Sequence, residues 1–158
     1  MIIVDGYNVI GAAGEFGLAL SLPDKEVRLL RLLSMFRSRR RSRQAMLVVF
    51  DGHYGKLAAG PRRYSHLGIQ VEWALGESAD AAIARKVRNA ARAREIEVVT
   101  SDRDLLRAVA GWGAKGVRSP AFLDAVEQAL ADTPGAEKPG TPSPAEVDEW
   151  LERFKDGG

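Results

Sequence analysis

The chain has 158 residues, 46% of them hydrophobic and 28% charged, with a formal net charge of +2. That is the make-up of one ordinary globular domain with a real core, and no run approaches the roughly 20 apolar residues that a membrane-spanning helix needs. Cysteine is absent, which excludes disulfides, thiolate zinc sites and cysteine nucleophiles and suits a reducing compartment. Because the opening Met1-Ile2-Ile3-Val4 has neither a basic leader nor a cleavage site, the expected location is cytoplasmic.

Apolar runs at Met1–Val4, Ala45–Phe50, Ile69–Trp73 and Ile96–Thr100 predict strands buried on both faces, with Gly116–Arg118 a weaker fifth. Between them lie helical patterns. Asp24 is placed to cap a helix whose broad apolar face includes Val27, Leu29, Leu30, Leu33 and Phe36. Ser78 is placed to cap a second, with Ala79, Ile83, Val87 and Ala90 on one stripe. A third runs from Arg103 to Ala110 and stops at Gly111 and Gly113, and Ser119-Pro120 opens a fourth, serine as cap and proline at the first helical position. Strands alternating with helices imply a three-layer α/β/α domain over residues 1–132, around a mostly parallel sheet of four to five strands. Residues 133–142, rich in proline and glycine, read as a linker. Residues 143–158 then start with the capping box Ser143-Pro144-Ala145-Glu146 and carry Val147, Trp150, Leu151 and Phe154 on one helical face, to dock on the body or to engage a partner.

The carboxylates fall at telling places. Asp5 and Asp51 directly follow the first and second strands, and Asp102 sits just past the fourth, with Asp104 behind it. Glu77 and Asp80 open the helix after the third strand, three residues apart and so on one helical face. In a parallel sheet all strand C-termini share one edge, where ligands bind. Each acid alone has a plainer reading: Asp5-Gly6 and Asp51-Gly52 as turns, Ser101 as a cap, Glu77, Asp80, Asp102 and Asp104 as first-turn acids favoured by the helix dipole. Jointly they predict a shared site. Carboxylates held close together need a proton or a cation, and hard oxygen ligands without cysteine favour one or two Mg²⁺ or Mn²⁺ ions. Such an ion can activate water and stabilise the leaving oxygen of a phosphodiester. Asn8, one helical turn beyond Asp5, is read as orienting Asp5, holding a water, contacting a phosphate or capping locally; Ser101 is a nearby hydroxyl or a cap.

Val4-Asp5-Gly6-Tyr7-Asn8-Val9-Ile10 resembles the opening of the NYN family, whose members look like PIN-domain nucleases. Val48-Val49-Phe50-Asp51-Gly52, Glu77-Ser78-Ala79-Asp80 and Val98-Val99-Thr100-Ser101-Asp102 follow in matching order over residues 1–130, and the set looks most like the bacterial YacP-like branch. The resemblance implies a PIN-like fold and a Mg²⁺- or Mn²⁺-dependent endoribonuclease acting on single-stranded RNA, messenger RNA foremost, with the ribosome as one setting. It places the family's catalytic and metal-binding acids on Asp5, Asp51, Asp80 and Asp102, with Asn8, Glu77, Ser101 and Asp104 in second rank.

Basic residues offer ways to hold such a substrate. Residues 133–158 contain six acids and three bases, so the basic excess lies in residues 1–132, which suits a polyanionic partner or simply a solvated surface. The segment from His53 to Leu67 leaves the second strand beside Asp51 and mixes Lys56, Arg62 and Arg63 with Tyr54 and Tyr64, as phosphate pairing and base stacking require. Arg85, Arg88 and Arg92 make a helical stripe beyond Asp80. The five arginines between Arg37 and Arg43 join a helix to a strand at the opposite sheet edge, away from the acids. A non-catalytic RNA-binding or ribosome-associated module is the main alternative. A phosphomonoesterase with Asp5 as nucleophile fits less well, since Tyr7 stands where a second aspartate is expected.

Overall fold

The computed structural model describes residues 1–41, 43–52 and 62–132. Lys56, the predicted linker 133–142 and the predicted helix in 143–158 lie outside the described residues. In chain order the elements are β1 (Ile2–Asp5), α1 (Gly6–Ala12), α2 (Lys25–Arg39), β2 (Met46–Asp51), β3 (Arg63–His66), β4 (Ile69–Ala74), α3 (Ala79–Arg88), β5 (Glu97–Val99), α4 (Arg103–Gly111), β6 (Lys115–Val117) and α5 (Ser119–Ala131), with short 3₁₀ turns at Gly14–Phe16 and Ala93–Glu95.

Among the described residues the sheet has six strands in the order β3-β4-β2-β1-β5-β6, not four or five. Every neighbouring pair is parallel except β3 with β4, which is antiparallel. The extra strand, β3, falls in the stretch expected as loop. Its residues Arg63, Tyr64, Ser65 and His66 carry no apolar run because this edge strand is only half covered. The other unpredicted element, α1, is seven residues long and too short for a clear periodicity.

Helices cover both faces, so the layers are α/β/α. On one face Ile2, Val4, Met46, Val48, Phe50, Val71 and Trp73 pack against Val9, Leu29, Leu33, Phe36, Phe122 and Val126 from α1, α2 and α5. On the other, Ile3, Leu47, Val49 and Val98 meet Ile83, Val87, Leu105 and Val109 from α3 and α4. Adjacent positions in β1 and β2 thus point to opposite cores, which explains why these strands show no polar alternation.

Asp5-Gly6 runs from strand straight into helix, whereas Asp51-Gly52 enters a turn at the end of β2. Gly6 opens α1, and a β-carbon on it would overlap the ring of Phe50. Gly52 donates its N–H to the Ala74 carbonyl (3.0 Å), and a β-carbon there would run into that same carbonyl. Glycine serves close packing at these positions, so each preceding aspartate stays at its strand end.

Candidate active site

Asp5 ends β1, Asp51 ends β2, Asp80 lies in the first turn of α3 after β4, and Asp102 is the N-cap of α4 after β5. The chain moves outward from β1 through β2 to β4, then crosses to β5 on the other flank of β1. That reversal leaves a crevice at the strand ends. One cleft of about 200 Å³ there is lined by Asp5, Tyr7, Asn8, Asp51, Ser78, Ala79, Asp80 and Asp102. A larger groove of about 670 Å³ lies elsewhere, bordered by Met1, Ile3, Leu47 and Ile96. Its buried acid, Glu72, is neutralised by Arg63 and Lys86, whereas the smaller cleft gathers Asp5, Asp80 and Asp102 with no cation among the described residues paired with them.

The electrostatics of the cleft are strained. Asp5 is buried, and its carboxyl is pushed up to about 7 by that burial and by the neighbouring charges of Asp80 and Asp102. Asp80 is also raised, first by burial, then by Asp102 and Asp51. Asp5 and Asp80 face each other closely enough to share a hydrogen bond when one of them is protonated. Among the described residues no cation pairs with Asp5, Asp80 or Asp102. A proton or a metal ion is what such a set accepts, and the all-oxygen donors suit Mg²⁺ or Mn²⁺. Among the described residues no group of three or more His, Cys, Asp or Glu side chains is already arranged to hold a metal ion. Asp102 Oδ1 accepts from the Leu105 N–H (2.8 Å) and Asp5 Oδ2 from Thr100 Oγ1 (3.0 Å), so each has one oxygen committed locally and one left for the cleft.

Thr100 was invisible as a site residue in the sequence, where it reads as the end of an apolar run. It is fully buried, donates to Asp5 and accepts from the Asp102 N–H (3.1 Å). Its hydroxyl therefore links the two acids on either side of the β1/β5 crevice. Asn8 has a positioning role: its Oδ1 accepts from the Ser101 N–H (2.9 Å) and the Ser119 hydroxyl (2.7 Å). Ser119 is not the cap of α5, because its hydroxyl is spent on Asn8 and Arg118 occupies the N-cap without a side-chain bond. Ser101 is not the cap of α4 either; Asp102 is, while the Ser101 hydroxyl accepts from the Ser119 N–H (3.3 Å). Asp24 holds the N-cap of α2 but bonds Arg28 instead of the helix backbone. Asn8→Ala should leave the Ser101 N–H and the Ser119 hydroxyl without their acceptor, cost about 1–3 kcal/mol in denaturant unfolding and slow any turnover at the cleft roughly 10–100-fold.

Two of the second-rank acids stand aside. Glu77 pairs with Arg85 at 2.6 Å, which lowers its pKa, and Asp104 is exposed on α4; neither lines the cleft. Several residues expected to contact RNA have structural partners. Arg63 bonds Glu72 from β3, Arg62 donates to the Trp73 carbonyl (3.3 Å), Arg85 holds Glu77, and Tyr64 packs partly buried against the core. Arg88 is exposed at the far end of α3.

This arrangement can be set beside known proteins. The model of the YacP-like NYN domain matches residues 2–149. The chain belongs to the YacP-like NYN domain family. No curated protein matches it. Among solved structures it is similar to the W164L mutant of Rae1 (YacP) from Bacillus subtilis, at 25% identity and a TM-score of 0.65, over 82% of this chain and 76% of that one. A second Rae1 (YacP) structure from Bacillus subtilis shares the fold at 23% identity and a TM-score of 0.61, over 99% of this chain and 82% of that one. The YacP-like NYN domain thus carries a PIN-like nuclease fold, and the family points to an RNA substrate.

Proposed function

We propose that this NYN domain is a divalent-metal-dependent endoribonuclease cutting single-stranded RNA, with messenger RNA as its main substrate, in the cytoplasm. The observation that carries the reading is the convergence of Asp5, Asp51, Asp80 and Asp102 on one cleft, with no cation among the described residues pairing with Asp5, Asp80 or Asp102. These four residues would hold the ion, which when bound supplies positive charge and Lewis acidity at the scissile phosphate. Thr100 fixes the rotamer of Asp5 through its hydroxyl, and Asn8 holds the Ser101–Asp102 backbone so that Asp102 keeps its place. Tyr7 donates its hydroxyl to Glu26 (2.9 Å) and packs on Phe50, walling the cleft on the α1 side.

The deciding measurement is cleavage of a single-stranded RNA by the full chain and by Asp80→Asn, each with Mg²⁺, Mn²⁺ or chelator. The expected result is turnover by the parent protein with metal only, leaving 5′-phosphate and 3′-hydroxyl ends. Cyclic 2′,3′-phosphate ends, or equal cutting by Asp80→Asn, would refute the mechanism. RNA retained but never cut under any condition would establish a binding module in its place.

A further inference from the structure

The cleft makes no use of the arginines where α2 passes over to β2. Arg37 and Arg39 end α2, Arg40 is its C-cap, and Arg41 and Arg43 precede the start of β2, whereas Asp51 is at the far end of that strand. Six residues of strand at ~3.3 Å each put roughly 20 Å between the two. The arginines divide by what they touch. Arg37 donates to the carbonyls of Gln44 (3.3 Å) and Gly68 (3.1 Å), tying α2 to the turn between β3 and β4. Arg40 lays its guanidinium 5.3 Å from the centre of the Phe36 ring. Arg39, Arg41 and Arg43 are exposed, and among the described residues none of them meets a carboxylate. Asp132 borders the same shallow groove as Arg39 and Arg40 without pairing with either. Among the other described basic residues, Arg28, Arg63, Arg85, Lys86 and Arg92 each pair with an acid, while Arg31, Arg88, Arg94, Arg103, Arg107, Lys115 and Arg118 do not; what sets this run apart is three such arginines within five residues of chain.

The backbone supplies an independent sign. Arg41 follows the C-cap of α2 with φ of 50°, in the left-handed region, its N–H bonded to the Ser38 carbonyl (3.2 Å). Glycine is the usual residue there because any β-carbon is strained. Helix-dipole attraction does not account for the choice, since it fades beyond the last helical turn and Arg41 and Arg43 lie past it. A strained backbone position kept by a charged side chain points to work done by that side chain.

We propose that Arg39, Arg41 and Arg43 form a second site for the sugar-phosphate backbone of RNA, on the far side of the domain from the carboxylate cleft. The inference rests on the ribonuclease reading and extends it: the protein would grip its substrate at two points, the second at least about six nucleotides from the first, since RNA must pass around the buried strand that separates them. Three exposed arginines within five residues of chain, with no acid partner among the described residues, suit phosphates spaced along a strand, and each contact releases counterions, so the grip weakens steeply with salt.

The test is binding of fluorescent single-stranded RNAs of about 30 and about 4 nucleotides, in chelator so that nothing is cut, at salt from about 50 to 200 mM. It compares the full parent chain, Arg39→Gln/Arg41→Gln/Arg43→Gln, and Arg41→Gly. The triple variant should bind the long RNA at least about ten-fold more weakly, with a log–log salt slope shallower by about 2, while the ratio between long and short RNA affinities collapses. Arg41→Gly should bind the long RNA more weakly while melting no lower than the parent, because it relieves the left-handed strain; a structural arginine would lose stability instead. If the parent binds and both variants bind equally well with the same slope, this inference fails alone. If the parent binds neither RNA, the ribonuclease reading fails with it. Displacement of the long RNA by polyglutamate at equal charge would overturn the RNA assignment in favour of an acidic protein.

Discussion

Asparagine in place of Asp5 should stabilise the metal-free protein and end RNA cleavage. Asp5 is pushed from its ordinary 3.8 to about 7 by burial and by the charges of Asp80 and Asp102. Between those two values the folded protein binds a proton that the unfolded chain does not, so this group's contribution to stability falls as pH rises through the window. Above pH 7 the folded state must carry an ionised Asp5 among other acids, a penalty of about 2–4 kcal/mol. Asparagine has the shape of the protonated acid, and its oxygen can still accept from the Thr100 hydroxyl. Asp5→Asn should therefore melt several degrees higher than the parent at pH 8, with the gain fading toward pH 4. Turnover should drop at least about 10³-fold, as loss of several kcal/mol of charge stabilisation requires. Thermal melts across pH, paired with cleavage rates, read both effects. A variant less stable than the parent at pH 8 would mean that Asp5 is held comfortably ionised, and the strained-cleft account would be wrong.

That strain could be foreseen in part. The placement of Asp5, Asp51 and Asp102 at strand ends followed from apolar runs of the right length, because a strand buried on both faces leaves a continuous signal. Asp80 followed from Ser78, whose hydroxyl does cap α3 through the Ala81 N–H (3.1 Å). What escaped notice shares a physical cause. Thr100 acts because β1 and β5 are neighbours, and Asn8 meets Ser101 and Ser119 across separations of 93 and 111 residues. Those contacts depend on strand order, which periodicity does not encode. The same holds for Glu72: it lies in an apolar run as a lone acid, and only the pairing of β3 with β4 brings Arg63 opposite it. The pull of Lys86 and Arg63 outweighs its burial and keeps its pKa lowered. Glu77 runs the other way: its position beside Asp80 placed it in second rank for the cleft, and Arg85, eight residues later, pairs with it. Local chemistry announced where charges begin, and tertiary pairing decided which of them stay uncompensated.

Manganese or magnesium should act on this cleft as a proton does, but in the opposite pH range. At pH 8, where Asp5 and Asp80 repel most strongly, an ion bound to the folded state alone should add about 2.7 kcal/mol at a hundred-fold excess over its dissociation constant. As pH falls through 7 the ion must displace a proton from the pair, so apparent affinity should weaken by up to about ten-fold per pH unit for each proton released. Asp5→Asn and Asp80→Asn should lose the metal-dependent rise in melting temperature, whereas Asp104→Asn, exposed on α4 and outside the cleft, should retain it. Asp102 and Asp5 each already commit one oxygen to Leu105 and Thr100, so the other oxygen of each would be the one free to hold the ion. Melts in Mn²⁺ from pH 6 to 8 separate this from a cleft that works by proton sharing alone. In that case the ion would leave every melt unchanged, cleavage would persist in chelator, and activity would peak near the pKa of the Asp5–Asp80 pair.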